Sequence, residues 1–158
     1  MTNERELRVG LISDTHGMLR VEALDALCGS DFIIHAGDIG QFDIIERLER
    51  IAPVTAVRGN NDIDAWASEL REIEVLEVGN VRIGVIHDLA QLVGDPVAAG
   101  CRVVVAGHSH NPKIIERNDV LYVNPGSAGP RRFKLPVSVG RIDVSGTSIR
   151  ARLITLAA

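Results

Sequence analysis

Hydrophobic and polar positions along the chain switch repeatedly between a strand-like and a helix-like pattern. Leu7 to Ser13 is a short, mostly apolar run with β-branched content; Asp14-Thr15-His16-Gly17 breaks it, and Val21 to Leu27 then carries apolar residues at helical spacing before Gly29. The order repeats. Phe32 to Ala36 is apolar, Gly37-Asp38-Ile39-Gly40 interrupts it, and a helix is predicted over Phe42 to Ile51 with Phe42, Ile45, Leu48 and Ile51 on one face. A third round starts with Val54 to Val57 and the break Arg58 to Asp62. Strands alternating with helices predict an α/β domain with at least one largely parallel portion of sheet.

The second half reads differently. Ile73 to Val78 and Val81 to Ile86 flank Gly79-Asn80, a two-residue hairpin signal of the glycine-first kind. A short helix is expected over Leu89 to Val93, ahead of Gly94-Asp95-Pro96. Val103 to Ala106 is a buried-strand candidate, Ile114-Ile115 can pair with Leu121 to Val123 across Asn118-Asp119, and Val137 to Val144 with Ser148 to Leu156 form a final hairpin around Ser145-Gly146. The expected architecture is a two-sheet α/β domain with antiparallel character toward the C-terminus. Neither a solenoid period, a low-complexity tract nor a linker-like composition shift divides the chain, so residues 1–158 are read as one domain.

Composition narrows the classes. At 158 residues, 46% hydrophobic and 24% charged, the chain has the balance of a soluble globular protein, and no apolar run reaches bilayer-spanning length. The polar opening Met1 to Glu6 lacks a signal-peptide pattern, which leads to an expectation of a cytoplasmic protein that does not engage membranes. Cys28 and Cys101 are far apart, form no metal or redox motif and are expected to be small buried hydrophobes. A net charge of -4 and 3% aromatic residues argue against bulk nucleic-acid binding.

The chemistry lies where strands end. Asp14 and His16 follow the first strand candidate, Asp38 the second and Asn60 the third, while His87, then His108 with His110, follow two later ones. In open α/β sheets the loops beyond the carboxyl ends of strands converge on ligands. Any one of these residues alone would be read as a turn residue, a helix cap or a satisfied histidine. Together they are a metal set, because four of the five histidines lie in such loops; His35 is the exception and is read as structural support. Carboxylate, amide and imidazole donors without thiolate suit manganese, iron, zinc or magnesium, and their number exceeds the needs of one catalytic zinc. A two-metal centre follows, with ions ~3.5–4 Å apart and Asp38, between Gly37 and Gly40, as the bridging carboxylate. Two dications would leave a locally positive site in an acidic protein, selective for phosphate-like anions.

Asp14-Thr15-His16, Gly37-Asp38, Gly59-Asn60, His87 and Gly107-His108-Ser109-His110, in this order over nearly the whole chain, resemble the calcineurin-like metallophosphoesterase superfamily. The short length and Asn124-Pro125-Gly126-Ser127, followed by Pro130-Arg131, resemble its small prokaryotic YfcE-like phosphodiesterases. The resemblance implies a four-layer α/β/β/α fold, a two-sheet β-sandwich flanked by helices. It implies Asp14, His16, Asp38 and His110 around one ion and Asp38, Asn60, His87 and His108 around the other. Asp38, Asn60, Asn61 and His108 become the catalytic positions. The implied reaction is hydrolysis of a small phosphodiester by hydroxide held between two divalent ions, manganese first, with zinc, iron, nickel and magnesium as alternatives. A phosphomonoesterase, a cyclic-nucleotide phosphodiesterase and a non-catalytic scaffold like the phosphoesterase-like subunit of retromer are the competing readings.

Two positions depart from the family pattern. Asn61 stands where larger relatives have a phosphate-contacting histidine and cannot act as a general acid near neutral pH, which favours activated diesters. Asp88 stands where glycine is common, either repelling substrate or orienting His87. Arg58, Arg131, Arg132 and Lys134 are read either as phosphate-steering cations or as solvated surface, Asn124 and Ser127 as structural residues beside the site, and the final hairpin as an edge for a homodimer.

Overall fold

Apolar or alternating runs with β-branched content form strands where turn signals bound them. In the computed structural model, which describes residues 5–97 and 99–157, these are β1 (Leu7–Ile12), β2 (Phe32–His35), β3 (Val54–Ala56), β4 (Ile73–Val78), β5 (Val81–Ile86), β6 (Val103–Ala106), β7 (Lys113–Arg117), β8 (Val120–Asn124), β9 (Ser138–Ser145) and β10 (Ser148–Thr155), with helices α1 (Val21–Leu27) and α2 (Phe42–Glu49). They build two mixed five-stranded sheets, ordered β10-β9-β1-β2-β3 and β4-β5-β6-β8-β7. The pairs β1–β2 and β2–β3 are parallel in the first sheet, and β5–β6 and β6–β8 in the second. This is the α/β sandwich expected from the strand and helix pattern.

The two sheets face each other over a core that includes Val9, Leu11, Ile34, Ala36, Ile83 and Val105. Alternate residues of β1 and β2 turn away from it: Ile12 and Ile33 pack with Ala23 and Leu27 of α1 and with Ile44, Ile45 and Leu48 of α2. Each such fully buried Val, Leu or Ile contributes roughly 1.5–3 kcal/mol of transfer free energy. Because β1 and β2 are buried on both faces, their sequences are nearly continuous apolar runs.

Several local expectations shift. Phe42 opens α2 but is 47% exposed and lies beside Trp66, while Ile44 takes the core position, and Ile51 lies past the helix end. The Leu89 to Val93 helix contracts to a 3-10 turn, Leu89–Gln91, which Asp88 caps by accepting the Ala90 N–H at 3.0 Å. The last hairpin turns at Gly146-Thr147, one residue beyond the expected centre, because Ser145 pairs with Ser148. Cys101 is buried as expected, but Cys28 is exposed: it is the C-cap of α1, where the chain leaves the core after Leu27. The helical layers are also uneven, since α1 and α2 both cover the first sheet, whereas the outer face of the second has the 3-10 turn and Leu92. Among the described residues no helix is long and apolar enough to cross a membrane.

The connection from β8 to β9 crosses the loop that follows β1. Ala128 N–H donates to the Ser13 carbonyl at 3.0 Å and the Ser127 hydroxyl donates to the Asp14 carbonyl at 3.1 Å. A Cβ at Gly129 would collide with the Thr15 carbonyl and stand 2.7 Å from that of Asp14, both backbone atoms. Gly129→Ala is therefore expected to destabilise the protein by about 1–3 kcal/mol, read as a lowered thermal midpoint; an unchanged midpoint would show that the two loops separate freely.

Candidate metal centre

The loops after β1, β2, β3, β5 and β6 meet at one end of the sandwich, and backbone hydrogen bonds hold them together. Asp14 N–H donates to the Gly37 carbonyl at 3.0 Å, His16 N–H to the Asp38 carbonyl at 2.9 Å and Gly107 N–H to the His87 carbonyl at 2.9 Å. His87 Nδ1 donates to the Ala36 carbonyl at 2.7 Å and so spans the two sheets. That bond fixes the tautomer: the proton of the neutral ring is on Nδ1, and Nε2 is free to ligate.

Two groups of side chains converge closely enough to hold a cation: Asp14, His16 and His110, and Asp14, Asp38 and His87. Asp14 is fully buried. Its Oδ2 accepts from the Ser13 hydroxyl at 2.7 Å and from the His108 N–H at 3.2 Å, while Oδ1 has no hydrogen-bond partner. Around Oδ1 stand the Nε2 atoms of His110, His16 and His87 at 3.4, 3.8 and 3.9 Å. Asp38 Oδ2 lies 3.2 Å from His87 Nε2 and 3.7 Å from His16 Nε2, so both carboxylates reach histidines of both groups. Asn60 and His108 stand at the solvent edge, paired through Oδ1 and Nδ1 at 3.2 Å, and His108 lies outside both close groups.

Burial and charge act in opposite senses on these residues. Burial raises the Asp14 pKa against the lowering pull of Ser13, His87 and His110. For Asp38 burial is also the largest influence and acts upward, but contacts with His87, the Asn61 N–H and His16 outweigh it and hold the carboxyl at about 2. Burial pushes His87 down, yet Asp38 and Asp14 beside it bring the net direction up. His110 is lowered by burial, with Arg132 and His16 acting in the same sense against Asp14. The cluster thus favours positive charge at His87 Nε2 and keeps Asp38 anionic. Asp14 Oδ1 and His87 Nε2 are buried without hydrogen-bond partners. A divalent cation would satisfy both, where leaving them bare costs roughly 1–3 kcal/mol each. The donor set therefore fits a hard or borderline divalent metal.

The backbone bears the same mark. Of eight described non-glycine residues with positive φ, five are Asp14 (55°), His16 (46°), Asp38 (56°), His108 (73°) and His110 (62°). A left-handed conformation costs roughly 1 kcal/mol or more for such residues, so the loops hold these side chains against local preference.

The other sequence candidates separate in space. His35 is fully buried: Thr15 Oγ1 donates to the Ile39 carbonyl and so accepts from His35 Nε2 at 3.0 Å, while His35 Nδ1 accepts the Gly37 N–H at 3.1 Å. It supports the Asp38 loop, and burial holds its pKa at about 3. Asn61 donates twice to Asp38, from its N–H at 2.9 Å and from Nδ2 at 3.1 Å. Asp88 approaches His108 Nε2, at 3.8 Å, instead of orienting His87. Arg58 pairs with Glu72 at 3.0 Å and Arg131 donates to the Leu135 carbonyl, while Arg132 acts electrostatically on His110 and Lys134 is exposed. Asn124 donates to the Gly107 carbonyl and to Ser109 Oγ, both at 3.0 Å, a supporting role beside the site.

Asp62 was not legible as part of the site. It is buried, with Oδ1 accepting from Ile39 and Gly40 and Oδ2 from Gly59, and so ties the Asp38 loop to the Asn60 loop. Its one signal is a third consecutive carboxylate or amide, after Asn60-Asn61, at a strand end. Ser13 is similar: it reads as the last residue of a strand, yet it orients Asp14.

Comparison with known proteins bears on the family and the fold. A model of the calcineurin-like phosphoesterase superfamily domain matches residues 7–147. A protein of Methanothermobacter thermautotrophicus named "Probable metallophosphoesterase" is 36% identical over 92% of this chain and 91% of its own. Phosphodiesterase YfcE of Escherichia coli is 26% identical over 92% of each chain. Among solved structures, a conserved Streptococcus pneumoniae protein described as a predicted phosphoesterase superposes with a TM-score of 0.77 at 24% identity, covering 96% of this chain and 90% of that one. Vps29 of Chaetomium thermophilum superposes equally well, at 0.77 and 19% identity over 95% and 97%, a likeness of fold.

Two measurements test the geometry. In chelator-treated protein His108→Gly is expected to be more stable than His108→Ala by about 1 kcal/mol, because the side chain is 46% exposed and the backbone φ is 73°; equal melting temperatures would deny the strain. The His35 ring, with a folded pKa of about 3, should remain neutral with its proton on Nε2 from pH 7 to pH 5 in ¹⁵N-resolved imidazole spectra. A folded-state titration near the ordinary histidine value would overturn that assignment. The depressed pKa also carries a sign: this contribution to stability is present above the unfolded value of about 6.5 and is lost as pH falls from there toward about 3.

Proposed function

The chain belongs to the calcineurin-like phosphoesterase superfamily, and from that premise we propose that it is a metal-dependent phosphodiesterase acting on small phosphate diesters at a two-metal centre. The observation that carries this reading is the buried, unpartnered Asp14 Oδ1 ringed by three histidine nitrogens, with Asp38 anionic beside them. Burying such groups is costly unless a cation occupies the site, which supports the metal-dependent reading.

We assign Asp14, His16, Asp38 and His110 to one ion and Asp38, Asn60, His87 and His108 to the other. Two bound divalent ions would supply an activated water and offset charge on the phosphoryl oxygens. The chain's own contribution is positional. Asp38 is held anionic and oriented by two hydrogen bonds from Asn61. His87 is aimed by its bond to Ala36, and Asp14 by Ser13 and the His108 N–H. His108, at the solvent edge with Asn60, meets substrate first. Arg132, whose charge acts on His110, is proposed to help draw the phosphate in. With Asn61 engaged and unable to protonate a leaving group, poor leaving groups should react slowly. Manganese is the metal proposed first, and the reading treats the chain as one domain in the cytoplasm.

The test is hydrolysis of bis-p-nitrophenyl phosphate and p-nitrophenyl phosphate by chelator-stripped protein re-supplied with manganese, zinc or magnesium. Diester turnover is expected to require metal, to exceed monoester turnover, and to fall on the order of 100-fold or more in Asp38→Asn and His108→Ala. Absence of turnover with every metal in folded protein would favour the scaffold reading, for which the fold-level likeness to Vps29 is the supporting observation.

A further inference from the structure

The proposed centre opens onto two clefts of different character. One, of about 200 Å³, is polar and lies toward Arg58, Asn60 and Glu72. The other, of about 330 Å³, begins at His108 and Ser109 and runs down the outer face of the second sheet. Val104, Ala106, Tyr122 and Ile115 line it, with Lys113 and Arg117 on the edge strand β7. The strand register explains this composition. Val104 stands opposite Tyr122, and Tyr122 opposite Ile115, in one cross-strand row. Asn124 and Lys113 form the next row toward His108. Alternation then puts Arg117 on the same face, one row beyond Ile115. Successive rows are ~7 Å apart, so the trough reaches two rows from the metal end. The Arg117 guanidinium sits 5.9 Å from the Tyr122 ring centroid, which makes that row an aromatic surface with a cation over it.

We infer that this trough binds one ester arm of the substrate, and that the arm is a nucleoside bearing a second phosphate. The inference rests on the phosphodiesterase reading and names its substrate class. A flat apolar floor with one aromatic ring suits a base. Two cations on the edge strand β7 of an otherwise acidic chain suit an anion beyond the reacting phosphorus. The volume suits a group of that size. The second cleft, which is lined by Asn60 and His87 and meets the trough at Asp88, provides for the second arm, which a monoester lacks.

The experiment compares three p-nitrophenyl diesters, each losing p-nitrophenolate as water adds to phosphorus: bis-p-nitrophenyl phosphate, thymidine 5′-p-nitrophenyl phosphate and its 3′-phosphorylated form. The 3′-phosphate is expected to lower KM about ten-fold, and Lys113→Ala/Arg117→Ala to abolish that ratio. Glu116→Gln, on the opposite face of β7, should preserve it. Tyr122→Ala should raise KM for both nucleoside esters. Calorimetric binding of thymidine 3′,5′-bisphosphate, expected to weaken about ten-fold in the double variant, reads the trough without turnover. A wild type indifferent to the 3′-phosphate, or a double variant that keeps the ratio, overturns the inference. If none of the diesters is turned over with any metal, the phosphodiesterase reading fails; the trough then stands as a nucleotide site if the bisphosphate still binds and the double variant weakens it, and falls if it does not.

Discussion

Asp14 carries a carboxylate with no exposure to solvent at the place where both sheets send the ends of their strands. One oxygen is satisfied by Ser13 and by the backbone of His108; the other faces three imidazole nitrogens and has no partner. Burying a charge this way is tolerable where a cation or hydrogen bonds compensate it. The surrounding frame answers that need. Parallel strands of each sheet deliver donors from the same end, and the His87 ring bridges the sheets through Ala36.

Positioning the donors costs backbone strain. Asp14, His16, Asp38, His108 and His110 all adopt left-handed φ values, and they persist because neighbouring loops over-determine them. Asp62 accepts three backbone N–H groups, the Thr15–His35 pair occupies the space behind the Asp38 loop, and the β8–β9 connection presses on Thr15. None of these supporting groups needs to touch a substrate. They spend core-like burial and hydrogen bonding on holding a few polar atoms a few ångströms apart, which is how a small domain keeps an electrostatically unfavourable cluster intact.

The likeness to Vps29 and to phosphoesterases alike is a likeness of scaffold, and function has to be argued from what is grafted on it. Here the graft has two parts: the donor cluster, and the outer face of the second sheet. That face is less covered than the first sheet's because the segment after β5 makes a 3-10 turn instead of a full helix. A longer helix packed there would cover the floor of the trough beside His108.

Much of the site was legible in the sequence because its signals are local. A buried strand is an apolar run, a strand end is marked by glycine and polar residues, and a donor type repeated at five such ends is visible without knowing how the strands pair. What required the tertiary structure was every relation between distant segments. Asn61 could be assigned to substrate until its donors were found on Asp38; Asp88 directly follows His87 in sequence yet faces His108; Asp62 and Ser13 looked like turn and strand residues. Phe42 and Cys28 misled because period alone does not say where a helix meets the core. The trough itself joins β6, β7 and β8, and its cations share a face with Tyr122 through strand register. Periodicity and turn chemistry are properties of neighbouring residues, whereas register, burial and the partner of each polar atom are set by which distant strands pack together.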